Sequence, residues 1–396
     1  MKNILYITYD GICEPLGISQ SLSYLEKLSP EFNIHIISYE KKKEINNSKN
    51  FKLIKKRLAK AGITCSFLKY HINSNYFAKI YDIFIGILIT LFLTKKLKIN
   101  IIHVRSYLPG LIALPSKLIF NPKILFDIRG FWADERLDGG LWSKNSLNYF
   151  LVKILEIILF SKSDHIVTLT EASLPFIKKF KSLGKANTPV SVIPTCVNLD
   201  LFNLSKKPKV NKDDNFTFGY LGSFGTWYLL DETLQLFKEI SKLIPDAQML
   251  IINRNEHKEI RIAAKKAKID QEKISIYKLD YKDVPTYLRK MDASSTLIKP
   301  CFSKLSSSPT KLGEYLGCGI PCVGNSGVGD VEKILNFKNS GFVLKKFDNK
   351  SLVEAAKKII VISKNKNIPY KCRDTAIEFF SLKDGIEKYR LIYNTL

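Results

Sequence analysis

The chain is poor in acidic residues: 37 Asp and Glu stand against 62 Lys and Arg, a net charge of +25 over 396 residues. That balance suits a nucleic acid, an anionic membrane surface, a polyanionic substrate, or a chain rich in Lys, Ile and Asn throughout. Nucleic acid is not expected, because there is no arginine-rich arm and no recognisable nucleic-acid module. Part of the excess has local shape, in Lys41-Lys42-Lys43, Lys55-Lys56-Arg57 and Lys95-Lys96-Lys98 of the first half. Paired cysteines are missing too. Cys13, Cys65, Cys196, Cys301, Cys318, Cys322 and Cys372 show no Cys-x-x-Cys spacing, and several sit in apolar runs. This argues against a disulfide framework and for reduced thiols in a cytoplasm. The five histidines are scattered, so no structural zinc is expected. Met1–Tyr9 reads as a buried strand rather than a secretory leader. The most apolar run, Ile80–Leu93, is interrupted by Asp82 and is shorter than the ~20 residues that span a bilayer. It reads as a buried helix, with an interfacial helix as the alternative. No repeat of solenoid length and no low-complexity tail is found.

What is present is a strand-then-helix rhythm in a chain long enough for two domains with separate cores. Strands are expected at Asn3–Thr8, Asn33–Ser38, Ile63–Phe67, Asn100–Val104, Lys123–Asp127, His165–Leu169 and Val190–Ile193. The polar stretch 205–215 reads as a linker. After it the rhythm restarts at Phe216, with further strands at Gln248–Asn253, Ile274–Leu279 and Ala293–Lys299, and late helices around Ser351–Ser363 and Leu382–Thr395. Such alternation implies parallel sheets covered on both faces, with ligands beyond the carboxyl ends of the strands.

The most informative stretch is Lys299 to Asp330. It reads as a polar loop, a short helix, a buried strand at Ile320–Val323 and a glycine turn at Gly327–Asp330. Ser306, Ser307 and Ser308 crowd the helix start, and Pro309 suits the first helical position, followed by Thr310. The unpaired N–H groups there, with the helix dipole, make a phosphate site to which Lys299, Lys304 and Lys311 add charge. Glu314 is placed to accept two hydroxyl hydrogen bonds, as from a ribose.

This stretch resembles the nucleotide-sugar motif of the retaining glycosyltransferases of family 4, which have the GT-B fold. In that family a Glu, seven residues and a second Glu precede a small-Gly-x-Pro-Val strand. Glu314 matches the second Glu, the ribose ligand; Gly319, Pro321 and Val323 match the strand. The first Glu, which contacts the donor sugar, is replaced by Ser306, and Ser-Ser-Pro-Thr-Lys-Leu-x-Glu-Tyr-Leu looks like a branch of the family. The resemblance implies an α/β fold of GT-B type, with two Rossmann-like domains facing across a cleft. Their limits are 1–204 with the returning helix 381–396, and 216–380.

The same resemblance assigns the remaining candidates. Gly17, in the loop after the first strand, lies where donor and acceptor approach the backbone. His103 and Arg105, then Asp127 and Arg129, follow the fourth and fifth strands where the family meets the donor sugar and its phosphate. Arginines stand near positions usually held by histidine, and Arg fits a phosphate or carboxylate with paired hydrogen bonds. Asp127, Asp134 and Glu135 are candidates for the acceptor side, and a structural ion-pair network is the alternative. Gly222, Ser223 and Gly225 let backbone amides meet a pyrophosphate, with Arg254 nearby. Tyr281 and Val284 are base neighbours or core. The catalytic set is thus Arg129, Asp127, Arg105, His103 and Lys311. The implied reaction is metal-independent transfer from a UDP- or GDP-linked sugar, a substrate rather than a cofactor, to an acceptor hydroxyl. The basic, aromatic first domain adds an expected lipid-linked or surface-polysaccharide acceptor and a location in the cytoplasm, at its membrane face. The rival readings are a nucleotide-sugar 2-epimerase of the same architecture, a basic nucleic-acid-binding protein, and a transferase-like subunit that binds without chemistry.

Overall fold

The computed structural model describes residues 1–71, 76–181, 188–205 and 215–396. The chain divides into two units, Met1–Ile193 with Lys383–Leu396, and Pro194–Leu382. The first unit therefore ends before the expected limit of 204. The reason is local: residues after Pro194 are bonded into the second unit. Val197 N donates to the Phe380 carbonyl at 2.8 Å. The Arg373 guanidinium donates to the carbonyls of Leu199 and Gly317 at 2.8 and 3.1 Å, and Phe202 is fully buried. The linker read at 205–215 lies, except for its two end residues, outside the described residues.

The first unit is built on seven parallel strands: β1 (Asn3–Thr8), β2 (Asn33–Lys41), β3 (Thr64–Tyr70), β4 (Ile101–Arg105), β5 (Lys123–Asp127), β6 (His165–Thr168) and β7 (Val190–Val192). Their order is β3-β2-β1-β4-β5-β6-β7. The second unit has six, β8 (Thr217–Leu221), β9 (Gln248–Ile252), β10 (Ile274–Tyr277), β11 (Ala293–Thr296), β12 (Cys322–Asn325) and β13 (Gly341–Leu344), ordered β10-β9-β8-β11-β12-β13. All pairings between these strands are parallel, so both sheets are Rossmann-like. Each order reverses once, between β1 and β4 and between β8 and β11, and a crevice opens at the carboxyl ends there. β13 lay outside the sequence reading; it is short and only half-buried.

Strand alternation sorts the side chains of the first unit. Leu5, Ile7, Ile102, Val104, Ile124 and Phe126 form one core, under the helices α1 (Tyr76–Lys96), α2 (Tyr107–Phe120) and α3 (Leu147–Lys162). The alternate positions Tyr6, His103, Arg105 and Asp127 fall on the opposite face. The helix read as buried at Ile80–Leu93 is α1, and it is buried on one side only. Gly86 lets it approach β2, since a Cβ there would lie 2.2 Å from the Tyr39 hydroxyl. That hydroxyl donates to the Asp82 carbonyl at 2.7 Å. The outward side leaves Phe77, Ile80, Tyr81, Phe84, Leu88 and Phe92 exposed.

In the second unit, α4 (Thr310–Gly317) is enclosed by core on every side, because Gly313 and Gly317 let it pack against Phe380, Val197 and Phe202. Gly17, expected to face a ligand, is buried in the turn after β1. A Cβ on it would sit 2.1 Å from the Gly11 carbonyl oxygen, so the turn closes on itself only with glycine there. Gly17→Ala is expected to lower stability by on the order of 1–3 kcal/mol, the usual cost of overpacking against atoms that cannot yield. Urea unfolding followed by circular dichroism checks this; an unchanged midpoint would show that the turn opens freely.

Candidate active site

The second unit brings its predicted residues together at the β8/β11 reversal. After β8 the chain turns through Gly222 and Gly225, at φ 107° and 56°, a region that glycine occupies without strain. Gly222 N donates to the Ile252 carbonyl at 2.8 Å, and Asn253 Nδ2 donates to the Gly222 carbonyl at 3.0 Å. Phe224 N donates to Glu256 at 3.0 Å, so the turn is tied to the loop after β9. Ser223 and Gly225 remain exposed, as does Arg254 on that loop.

Lys311, in the first turn of α4, points at this glycine turn. Its ammonium donates to the Tyr220 hydroxyl at 2.8 Å and lies 3.6 Å from the Tyr228 ring centre. A Cβ on Gly222 would come within 3.1 Å of it. Glu314 follows one turn on, and the Tyr281 hydroxyl donates to its carboxylate. Both charged residues are only 7% exposed. Burial pushes the Glu314 carboxyl up to about 7, against the pull of Lys311 and the Tyr281 hydrogen bond. Burial likewise brings the Lys311 ammonium down to about 7, with Glu314 opposing. Each group thus carries its charge or loses it near neutrality, which suits a site that exchanges its partner for a ligand.

The serine loop is built differently from the sequence reading. Pro309 is the residue before the helix, in extended conformation, and no side chain caps α4. Phe302–Ser306 forms a 3-10 turn that buries Ser306, whose hydroxyl donates to the Ser303 carbonyl at 2.8 Å. The Ser308 carbonyl accepts from the Thr195 hydroxyl at 2.7 Å. The Ser306 hydroxyl is thus taken by a local carbonyl, and the Ser308 hydroxyl accepts from the distant Thr195 N at 3.3 Å. Ser307 and Thr310 are half-buried beside them. Lys304 is buried with its ammonium 3.8 Å from the Trp227 ring centre, and its carbonyl accepts from Gly329 N of the second glycine turn at 2.8 Å. Lys299 is exposed. Tyr220, Tyr228 and Trp227, which wall these lysines, were missed by the motif-based reading. Alternation along Thr217–Leu221 was the available signal for Tyr220.

In the first unit His103, Arg105, Asp127 and Arg129 also meet, in a buried cluster. Asp127 is 1% exposed; Arg105 and Arg129 each approach its Oδ2 to 3.7 Å, and Tyr389 donates to it at 3.1 Å. Burial alone would raise the Asp127 carboxyl, but Arg129, the nearby His103 ring and Arg105 outweigh it and hold it at about 2. Burial lowers His103, and its Nδ1 pairs with the Tyr393 hydroxyl at 2.7 Å. Both tyrosines come from the last helix, α5 (Leu382–Thr395). Asp127 and His103 are therefore tied into the fold. Asp134 is occupied likewise, by Tyr149 at 2.9 Å and Lys153 at 3.1 Å. Arg105, Arg129 and Glu135 border a cavity of about 820 Å³ beyond the ends of β1, β4 and β5, together with Tyr9, Trp132 and Arg136. Ser106 and Arg129 hold φ of 74° and 57° at its edge, unusual for residues with a side chain and typical of functional loops. Among the described residues, no group of three or more His, Cys, Asp and Glu is placed to hold a metal ion.

Asp127→Asn should destabilise the fold at pH 7 by about 3–5 kcal/mol, because it leaves buried arginine charge without its anion. The sign of the pH dependence follows from a lowered folded-state pKa. The contribution is present above the ordinary carboxylate value and is lost as pH falls through about 2. Urea midpoints of both proteins from pH 7 to pH 2 should converge at the acid end; a constant gap would refute the assignment.

Residues 202–377 match the family model described as Glycosyl transferases group 1. No curated protein matches the chain. Among solved structures it is similar to sucrose-phosphate synthase from Thermosynechococcus elongatus, at 12% identity and TM-score 0.75, covering 100% of this chain and 99% of that one. It is similar to a glycosyltransferase from Rickettsia africae, at 18% identity and TM-score 0.72, covering 100% and 98%. It is also similar to Anabaena HepE in complex with UDP and glucose, at 11% identity and TM-score 0.70, covering 100% of each chain. Two Rossmann-like units of GT-B type thus make up this protein, and residues 202–377, all within the second, match the model of group 1 glycosyl transferases.

Proposed function

We propose that the protein is a retaining, metal-independent glycosyltransferase of the family 4 kind. It takes a sugar from a UDP- or GDP-linked donor and passes it to a saccharide hydroxyl. The observation that carries this reading is the burial of Lys311 and Glu314 one helical turn apart, beside the Gly222 turn at the β8/β11 reversal. Two opposite charges at that depth disfavour folding unless a ligand uses them. The group 1 match over this unit and the fold shared with a UDP-bound protein support the same conclusion.

In this reading the amides of Ser223 and Gly225 and the Lys311 ammonium take the diphosphate, while Gly222, whose N–H is held by the Ile252 carbonyl, shapes the turn; Arg254, Lys299 and Lys304 add positive charge. Glu314 accepts from the ribose hydroxyls, displacing Tyr281 towards the base. As the bond to the sugar breaks, charge collects on the departing phosphate, and Lys311 stabilises it. The acceptor attacks from the face of departure, and that phosphate takes its proton. Ser306 presents no carboxylate to the donor sugar, so sugar contacts differ from those of the family pattern. Arg105 and Arg129 bind an anionic group in the first unit, on a lipid-linked acceptor at the cytoplasmic face of a membrane.

Glu314→Ala should cost 1–3 kcal/mol of UDP or GDP affinity by calorimetry, about 5- to 150-fold, with the fold intact. Lys304→Ala and Lys311→Ala should reduce turnover more than melting temperature. Unchanged nucleotide affinity in Glu314→Ala would remove the site assignment. Donor converted to its 2-epimer without acceptor would favour the epimerase instead.

A further inference from the structure

The first unit gathers its uncovered apolar side chains on one helical layer. On α1 the exposed residues Phe77, Ile80, Tyr81, Phe84, Leu88 and Phe92 recur at helical spacing and form a stripe. On α3 the stripe is Leu147, Phe150, Leu151, Ile154 and Ile158. Between them α2 packs against both helices and ends in exposed Leu118, Ile119 and Phe120. These three helices cover the same sheet face, since all their crossovers run in one direction along the strand order.

The charge around this layer has one sign. From Tyr76 to Phe126 the only acid is Asp82, against Lys79, Lys95, Lys96, Lys98, Lys117 and Lys123. From Gly139 to Ser163 the only acid is Glu156, against Lys144, Lys153 and Lys162. Both acids are buried and occupied, Asp82 by Tyr9 and His71, Glu156 by Tyr107 and Lys153. Acidic side chains resume at Asp134, Glu135 and Asp138 on the helix Trp132–Asp138 and at Asp164. Asp164 pairs with Lys117 and Lys123, and Lys153 pairs with Asp134 and Glu156, so the exposed positive charge is that of Lys79, Lys95, Lys96, Lys98, Lys144 and Lys162. An isologous contact with a second copy would bring the same lysines together, whereas an anionic surface complements them.

We propose that α1, α2 and α3 dock this unit on an anionic lipid bilayer. The apolar stripes enter the interface, and the exposed Lys79, Lys95, Lys96, Lys98, Lys144 and Lys162 meet the headgroups. Residues Phe77–Lys96 of α1 are long and apolar enough to cross a membrane. The helix lies on the bilayer instead, because Asp82 and Gly86 fasten its other side to β2 and the β1 loop. Ile80 and Leu151, both exposed, also line the cavity that Lys79, Arg105, Arg129 and Arg136 share. An amphiphile can therefore leave its tail in the interface while its anionic head enters the cavity. This last step rests on the acceptor class proposed above; the docking does not.

The test is flotation of the full chain with vesicles of phosphatidylcholine alone and with about a third phosphatidylglycerol, a level that gives the surface a negative potential. The wild type should float with the anionic vesicles and stay behind with the neutral ones. Phe84→Glu with Leu88→Glu, and Ile154→Glu separately, should reduce binding at least tenfold while melting temperature and UDP affinity hold. If the glutamates lower the melting temperature, Phe84→Ser with Leu88→Ser makes the same test. A wild type that ignores anionic vesicles overturns the proposal, and so do variants that float undiminished. A dimer by light scattering that these variants dissociate, without vesicle binding, assigns the face to a second copy instead. Loss of nucleotide binding with flotation intact would count against the donor site alone.

Discussion

Lys311 and Glu314 are the constraint on which the account depends. They stand one turn apart on a helix that is enclosed throughout, and neither has a full charged partner at hydrogen-bond distance among the described contacts. A lysine brought down to about 7 and a glutamate pushed up to about 7 are both held away from their preferred states. Such a pair disfavours folding, and the surrounding core offsets it: Gly313 and Gly317 draw α4 against Phe380 and Phe202, and Leu221 N donates to the Tyr315 hydroxyl at 2.5 Å. The glycine turn then follows, because only Gly222 leaves room for the lysine tip.

The first unit handles its charges in the opposite way. Asp127 has two arginines, a histidine and Tyr389 around its Oδ2, and its carboxyl is held at about 2, while its buried Oδ1 has no hydrogen-bond partner among the described residues. The arrangement is a consequence of strand parity. His103, Arg105 and Asp127 are odd-numbered neighbours on β4 and β5 in register with one another, so they share the face that α5 covers. Lys2 adds to the seal by donating to the Tyr393 and Asn394 carbonyls at 3.0 and 2.8 Å, where the helix dipole favours a cation. Arginine side chains at the edge of this cluster, with the strained backbone at Ser106 and Arg129, remain available to the cavity. The first unit thus surrounds its buried acid with arginines, whereas the second buries Lys311 and Glu314 without an ion-pair partner at hydrogen-bond distance among the described contacts.

Much of the architecture was legible in the sequence, because apolar runs of strand length alternate with helical patterns along the whole chain. The Lys299–Asp330 motif, read as lying at the carboxyl edge of a parallel sheet, follows β11, which adjoins β8 at the reversal of strand order. What it could not convey was how the serines are used: Ser306 and Ser308 bond to Ser303 and Thr195, and the helix starts uncapped after Pro309. Side-chain hydroxyls choose among several backbone partners by a fraction of an ångström, and that choice is tertiary. The first unit ends earlier than the linker composition suggests because the partners of Val197–Phe202, Phe380 and Arg373, lie far along the chain. The one-sided burial of α1 was hidden by composition: an apolar run reads the same whether core or lipid covers it.

Proton linkage tests the central claim most directly. At pH 8 a Lys311 with its pKa near 7 is mostly neutral in the free protein, and a bound diphosphate would restore its charge. Titration calorimetry of UDP and of GDP at pH 8, in buffers of different ionisation enthalpy, should reveal uptake of up to about one proton per nucleotide bound. The uptake should vanish in Lys311→Met. Nucleotide binding with heats independent of buffer, and equally tight in the variant, would contradict the account.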